Sequence, residues 1–190
     1  MREFVLAIST CCYDGYQLPI ALENISELGF DLVEIAAVSG FTEHIVPENM
    51  SLSDFRAIEK LMGQNALSSV SFSGHIDLGL QDSVKRFMKR IDFAEYIGAK
   101  TVNTFTTDYQ NYASFVDNMA LLAPYADRKG ICIGLETDGG LVYTGKEGRD
   151  LLGRMNYPNV GINYDPGNVI CLKPETIPER DIICAHDYLI

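Results

Sequence analysis

An apolar run followed by a segment with helical spacing recurs along this chain at intervals of roughly 30 residues, and such an alternation admits few folds. Residues 4–9 form the first run, after which Leu18, Ala21, Leu22, Ile25 and Leu28 mark one face of a helix over 16–28 that Gly29 closes. A strand over 31–37 follows, then a loop over 39–50. A helix over about 53–65 next places Phe55, Ile58, Leu61 and Met62 on one face. Strands at 69–76, 101–106 and 132–136 precede helices at 83–97, 112–128 and 145–155, with Gly98 and Gly130 as stops for the first two helices. A sixth run ends at Asp165, where Pro166 and Gly167 stop it, and leads into a connection interrupted by Pro174 and Pro178. A seventh strand is expected from Ile182, ending at His186.

Strands that alternate with helices give βαβ units and a parallel sheet. The pattern therefore predicts an α/β protein, a parallel (β/α) TIM-like barrel that is incomplete, with about seven strands. A doubly wound open sheet is the competitor. That fold places a glycine-rich phosphate turn after an early strand, and Ser9-Thr10-Cys11-Cys12-Tyr13-Asp14-Gly15 offers none. A complete barrel of this kind takes about 250 residues. The 190 residues here are expected to form one domain, 1–190, lacking the last β/α unit.

Three of the strand ends carry metal-ligand chemistry. Glu136 and Asp165 each close an apolar run and are followed by glycine, and His186 sits at the end of the seventh. Alternation along that last strand sends Cys184 and His186 to the same side, so either could be the ligand, and His186 is taken. His44 is expected at the surface of its loop, and Tyr109, Tyr112 and Phe115 are assigned to packing. A net charge of −11 argues against a nucleic-acid partner, because binding a phosphate backbone requires a basic face. The N-terminal apolar run is too short for a signal peptide and no later one approaches a membrane span, so no membrane partner and a cytoplasmic location are expected. The five cysteines include no C-x-x-C pair and are expected to be reduced.

The segments Gly29-Phe30-Asp31-Leu32-Val33-Glu34-Ile35, Gly74-His75-Ile76-Asp77-Leu78, Ile97-Gly98-Ala99-Lys100-Thr101-Val102, Gly134-Leu135-Glu136 and Asp165-Pro166-Gly167-Asn168, with the His186 run, resemble in order the xylose isomerase-like barrel superfamily. The likeness is to its sugar-phosphate isomerase/epimerase branch. That resemblance implies a metal-dependent isomerase or epimerase of a small sugar or sugar phosphate acting through an enediolate. It implies a divalent ion (Mn, Mg, Co or Zn) on Glu136, Asp165 and His186, with Glu136 also catalytic and His75, Glu34 and Asn168 contacting substrate. A second glutamate from an eighth strand completes the family's proton-transfer pair and has no counterpart here. The alternative is therefore a shortened, non-catalytic sugar- or metal-binding homologue. An endonuclease IV-like phosphodiesterase is disfavoured, because the fourth strand lacks that group's His and Asn168 stands where it has another. Unpaired sheet edges lead to the expectation of a homo-oligomer.

Overall fold

A computed structural model describes residues 5–190. The elements follow the expected alternation: β1 (Ile8–Ser9), α1 (Leu18–Glu27), β2 (Leu32–Ala36), α2 (Leu52–Gln64), β3 (Ser68–Ser73), α3 (Ser83–Tyr96), β4 (Thr101–Thr104), α4 (Tyr112–Arg128), β5 (Cys132–Glu136), α5 (Gly145–Met155) and β6 (Val160–Asn163). Two short helices, α6 (Pro166–Leu172) and α7 (Pro178–Cys184), complete the chain with a final 3₁₀ turn at His186–Tyr188. The six strands lie in one parallel sheet in sequence order, β1-β2-β3-β4-β5-β6. That order separates the two candidate folds. A doubly wound sheet reverses its strand order at a switch point, whereas a barrel adds each strand beside the last.

The sheet is apolar on its helix-facing side because each crossover helix lays its own apolar stripe there. Ile35, Phe72, Val102, Ile133, Leu135 and Ile162 are fully buried in it, and Leu22, Phe93, Met119 and Leu152 meet them from the helices. Ser51 starts α2 with a reciprocal capping box to Asp54. No helix among the described residues is long and apolar enough to cross a membrane.

Two expected strands change. In the first run Phe4 lies outside the described residues, and of the rest only Ile8 and Ser9 pair, with Val33 and Glu34. Since β2 begins at Leu32, residues ahead of Ile8 have almost no partner strand, and Val5 and Leu6 stand exposed. The larger correction is the seventh strand. Residues 178–184 are helical, and His186 falls in the turn behind them. Pro178 at the first helical position, with Glu179 and Asp181 in the first turn, is a helix start that outweighs the apolar run Ile182-Ile183-Cys184. A run that short has no period to distinguish strand from helix. The place beside β6 is entered only at Leu189, which bridges Ile162 in parallel, with the Ile190 amide donating to the Ile162 carbonyl at 3.2 Å.

Helix α7 also supports the mouth of the sheet. Asp181 in its first turn accepts from the Gly145 and Lys146 amides at 2.6 and 3.1 Å, capping α5 across space, and from the Tyr164 hydroxyl at 3.0 Å. Removing this carboxylate leaves two helix-terminal N–H groups without that partner. Asp181→Ala should therefore cost about 1–2 kcal/mol of stability, read as a lower midpoint in chemical denaturation with an unchanged slope.

Candidate active site

The C-terminal ends of the strands surround a cavity of about 680 Å³. Glu136, the last residue of β5, is its most elaborated side chain. Its Oε2 accepts from His75 Nε2 at 2.6 Å and from Asn163 Nδ2 at 3.0 Å, while Oε1 accepts from Asn168 Nδ2 at 3.2 Å. His75, buried just beyond β3, is held in turn by Ser73 Oγ, 2.9 Å from Nδ1. Both contacts are satisfied when Ser73 donates to Nδ1 and Nε2–H donates to Glu136, and equally with a charged ring, when Nδ1–H donates to Ser73 Oγ. The result is a Ser73–His75–Glu136 relay, with one member on β5 and two on the segment that ends β3. Gly74 makes the approach possible, since a methyl there would lie 2.8 Å from Val102 Cγ1.

Burial alone would push the Glu136 carboxyl up. The hydrogen bond and charge of His75, with the Asn163 and Asn168 amides, outweigh it and hold the group below the usual glutamate range. Asp138, two residues on, goes the other way. Burial and the neighbouring Glu136 charge push it up to about 7, with His75 opposing and Asp165 adding to the rise. An acid whose folded pKa exceeds its unfolded value gives stability that is present below the unfolded pKa and lost as pH rises towards the folded one. In metal-free protein, Asp138→Asn should match wild type near pH 4 and be more stable by about 1–3 kcal/mol at pH 8. Thermal melts across that range in a chelator check this. A gap that does not grow with pH would remove the effect.

The other expected residues fall as follows. Glu34 lines the same cavity and accepts from Ser71 Oγ at 2.5 Å and Asn103 Nδ2 at 2.9 Å, bonds that span β2, β3 and β4. Asp165 lines it too, and caps α6 by accepting from the Gly167 and Asn168 amides at 2.7 and 3.1 Å on one oxygen, Oδ1. Thr137 fixes this corner, for its Oγ1 accepts from the Asp165 amide at 2.8 Å. Asn168 turns its amide onto Glu136. His186 is not among the residues around the cavity: its side chain is 71% exposed and pairs with Asp187 at 3.0 Å. Cys184 is exposed as well. His44, expected at the surface, instead bonds Thr10 Oγ1 at 2.9 Å and approaches the Tyr13 and Tyr16 carbonyls, tying two loops together.

Glu136 and Asp165 give a hard ion oxygen donors, a set that suits a hydrated Mg²⁺ or Mn²⁺ held by one or two carboxylates. It does not suit a site that needs three side-chain ligands. Among the described residues no three His, Cys, Asp or Glu side chains gather as a metal cluster. Sequence reasoning passed over Ser73, Asn163 and Asp138. Each lies two residues from a residue that was chosen (His75, Asp165 and Glu136), the spacing at which neighbours on an extended segment share a face.

The family model described as xylose isomerase-like TIM barrel matches residues 22–189. Among solved structures, the chain is similar to a probable 3-DHS dehydratase, AsbF, from Bacillus anthracis, at 15% identity and TM-score 0.76, over 98% of this chain and 71% of that one. It is similar also to 3-keto-D-glucoside 4-epimerase, YcjR, from E. coli, at 14% identity and TM-score 0.78, over 98% and 77%. A third is a xylose isomerase-like TIM barrel protein from Mycobacterium smegmatis in complex with magnesium, at 16% identity and TM-score 0.74, over 87% and 65%. At these identities the likeness shows a shared fold. No curated protein sequence matches the chain significantly.

Proposed function

The chain belongs to the xylose isomerase-like TIM barrel family, and from that premise we propose that it acts on a small sugar or sugar phosphate as an isomerase or epimerase working through an enediolate. The observation that carries this reading is Glu136: a largely buried carboxylate, held ionised by His75 and two amides, in a polar cavity at the strand mouths. Such a group is deprotonated near neutral pH and placed to accept a proton from the carbon next to a carbonyl, as a weaker base than an ordinary glutamate. In the proposed step the C–H bond α to the carbonyl breaks, the proton goes to a Glu136 oxygen, and the electron pair moves onto the carbonyl oxygen. Return of the proton from Glu136 to the neighbouring carbon, with the hydroxyl proton passing from one oxygen of the enediolate to the other, isomerises the sugar; return to the original carbon from the opposite face epimerises it and takes a second acid on that face. His75 keeps the carboxylate in place through the transfer, and Ser73 keeps His75.

The proposal includes a divalent ion on Glu136 and Asp165, which the magnesium complex of the mycobacterial relative supports. When bound, the ion would stabilise negative charge on the substrate oxygens. Asparagine caps a helix as well as aspartate does, so Asp165→Asn should keep α6 while removing one charged ligand. Calorimetric titration with Mn²⁺ should show affinity reduced by about tenfold or more in that variant. Equal affinity would take Asp165 out of the site.

One observation favours a second reading, a sugar binder without turnover: both Glu136 oxygens already accept protein hydrogen bonds. Exchange of the α proton of a ketose in D₂O separates the two, because it needs only the first proton transfer. Exchange above the uncatalysed rate supports the enzyme. Binding of the same ketose without exchange supports the binder.

A further inference from the structure

Resting on the enediolate reading above, we infer that the substrate is an uncharged polyhydroxy ketone or aldehyde and that the cavity rejects phosphate esters. The cavity wall carries the carboxyl groups of Glu34, Glu136, Asp138 and Asp165, and among the described residues no lysine or arginine lines it. A phosphate monoester carries about −1.5 to −2 charges near neutral pH and needs cationic or N–H donors to replace its water. The wall supplies carboxylates where those donors would have to be.

Two cations near this end of the sheet, Arg90 and Lys173, have partners elsewhere. Arg90 is fully buried and spends its guanidinium on Glu48 Oε1, at 2.9 Å from Nη2, and on the carbonyls of Ala37 and His75. Lys173 lies over the Tyr143 ring, 4.6 Å from its centroid, in the neighbouring groove. A helix N-terminus is the other common phosphate cradle. The one whose first turn lines this cavity, α6, begins with Pro166, which has no N–H, and its next two amides already donate to Asp165 Oδ1. A divalent ion on Glu136 and Asp165 would offset part of the negative charge and still leave Glu34 facing the same space.

What the wall does offer suits a neutral polyol. Ser9, Ser73, Asn163 and Asn168 are hydroxyl and amide partners for sugar hydroxyls, and Phe105, whose ring centre is 4.7 Å from that of His75, gives the C–H face of a sugar an apolar wall.

The test compares α-proton exchange in D₂O, with Mg²⁺ present, for D-fructose and D-tagatose against their 6-phosphates at equal concentration. The free sugars should exchange at least about tenfold faster than their esters, and 10 mM inorganic phosphate should leave their exchange unchanged. Faster exchange of the esters, or competition by phosphate, overturns this inference and leaves the enediolate reading standing. Exchange of none of the four overturns both.

Discussion

Arg90→Met should destabilise the protein by about 3–5 kcal/mol, enough to unfold much of it at physiological temperature. Among the described residues Arg90 is the largest fully buried side chain and the only fully buried one with a charge. Its Nε and Nη2 bind Glu48 Oε1 at 3.1 and 2.9 Å, and Nη1 donates to the backbone carbonyls of Ala37 and His75. Glu43 approaches Nη2 at 3.9 Å. Burial alone would raise the Glu48 carboxyl, and the Arg90 hydrogen bond and charge, with Arg86, bring it below its ordinary range. Methionine fills most of the volume but leaves the Ala37 carbonyl without that donor and the Glu48 carboxylate with only the partly exposed Arg86, whose Nε lies 3.1 Å from Oε1, while the His75 carbonyl keeps the Ser39 amide at 3.0 Å. A buried charge stripped of most of its partners costs more than the pair contributes when intact.

That asymmetry gives the check. Arg90→Met/Glu48→Gln removes the stranded charge and should recover a measurable part of the loss in chemical denaturation. A double variant as unstable as the single one would mean that the lost bond to the Ala37 carbonyl dominates. Either way the effect reaches the site, because the two carbonyls that Arg90 binds mark the ends of β2 and β3 and one belongs to His75 itself. Arg90 thus holds the backbone from which the Glu136 partner projects.

The repeated unit was legible because two local signals agree along it. Apolar spacing separates helix from strand, and glycines mark helix ends where the chain turns left-handed, with φ of 86°, 81° and 67° at Gly29, Gly98 and Gly130. Where one signal was missing the reading failed. Ile182-Ile183-Cys184 is apolar enough for a strand and too short to show a period, and the helix start at Pro178 was taken for a loop. The candidate site was legible to the extent that chemistry sits at strand ends: Glu136 and Asp165 share the cavity as their glycine-flanked positions suggested. Asn168 is named from the sequence as a substrate contact, but that it and Asn163 tune Glu136 is not legible there, since they act from another helix and another strand. Asp138 escaped notice because its unusual proton affinity comes from burial beside Glu136, which no local pattern records. His186 was placed by a strand that does not form, and its exposure follows from that error.

Glu136→Gln should lower α-proton exchange by about 10²- to 10⁴-fold, the usual contribution of a positioned base, while the protein stays folded. The substitution is close to isosteric, and the surroundings adapt to it. A glutamine oxygen in the place of Oε2 still accepts from His75 and Asn163, and the new NH₂ group then faces Asn168, whose own amide can turn to offer its oxygen. The expected stability change is about 1 kcal/mol or less, so a shift in melting temperature of more than a few degrees would point to a structural role instead. A pH series adds a readout that folding alone would not move. Because the surroundings hold the Glu136 carboxyl below the ordinary glutamate range, the acid limb of exchange in the unsubstituted protein should lie below that of an ordinary glutamate. Glu136→Asp keeps a charge but draws it back from His75 and should give an intermediate rate. Exchange that survives Glu136→Gln undiminished would move the base elsewhere on the wall, with Asp138 the next carboxyl to replace.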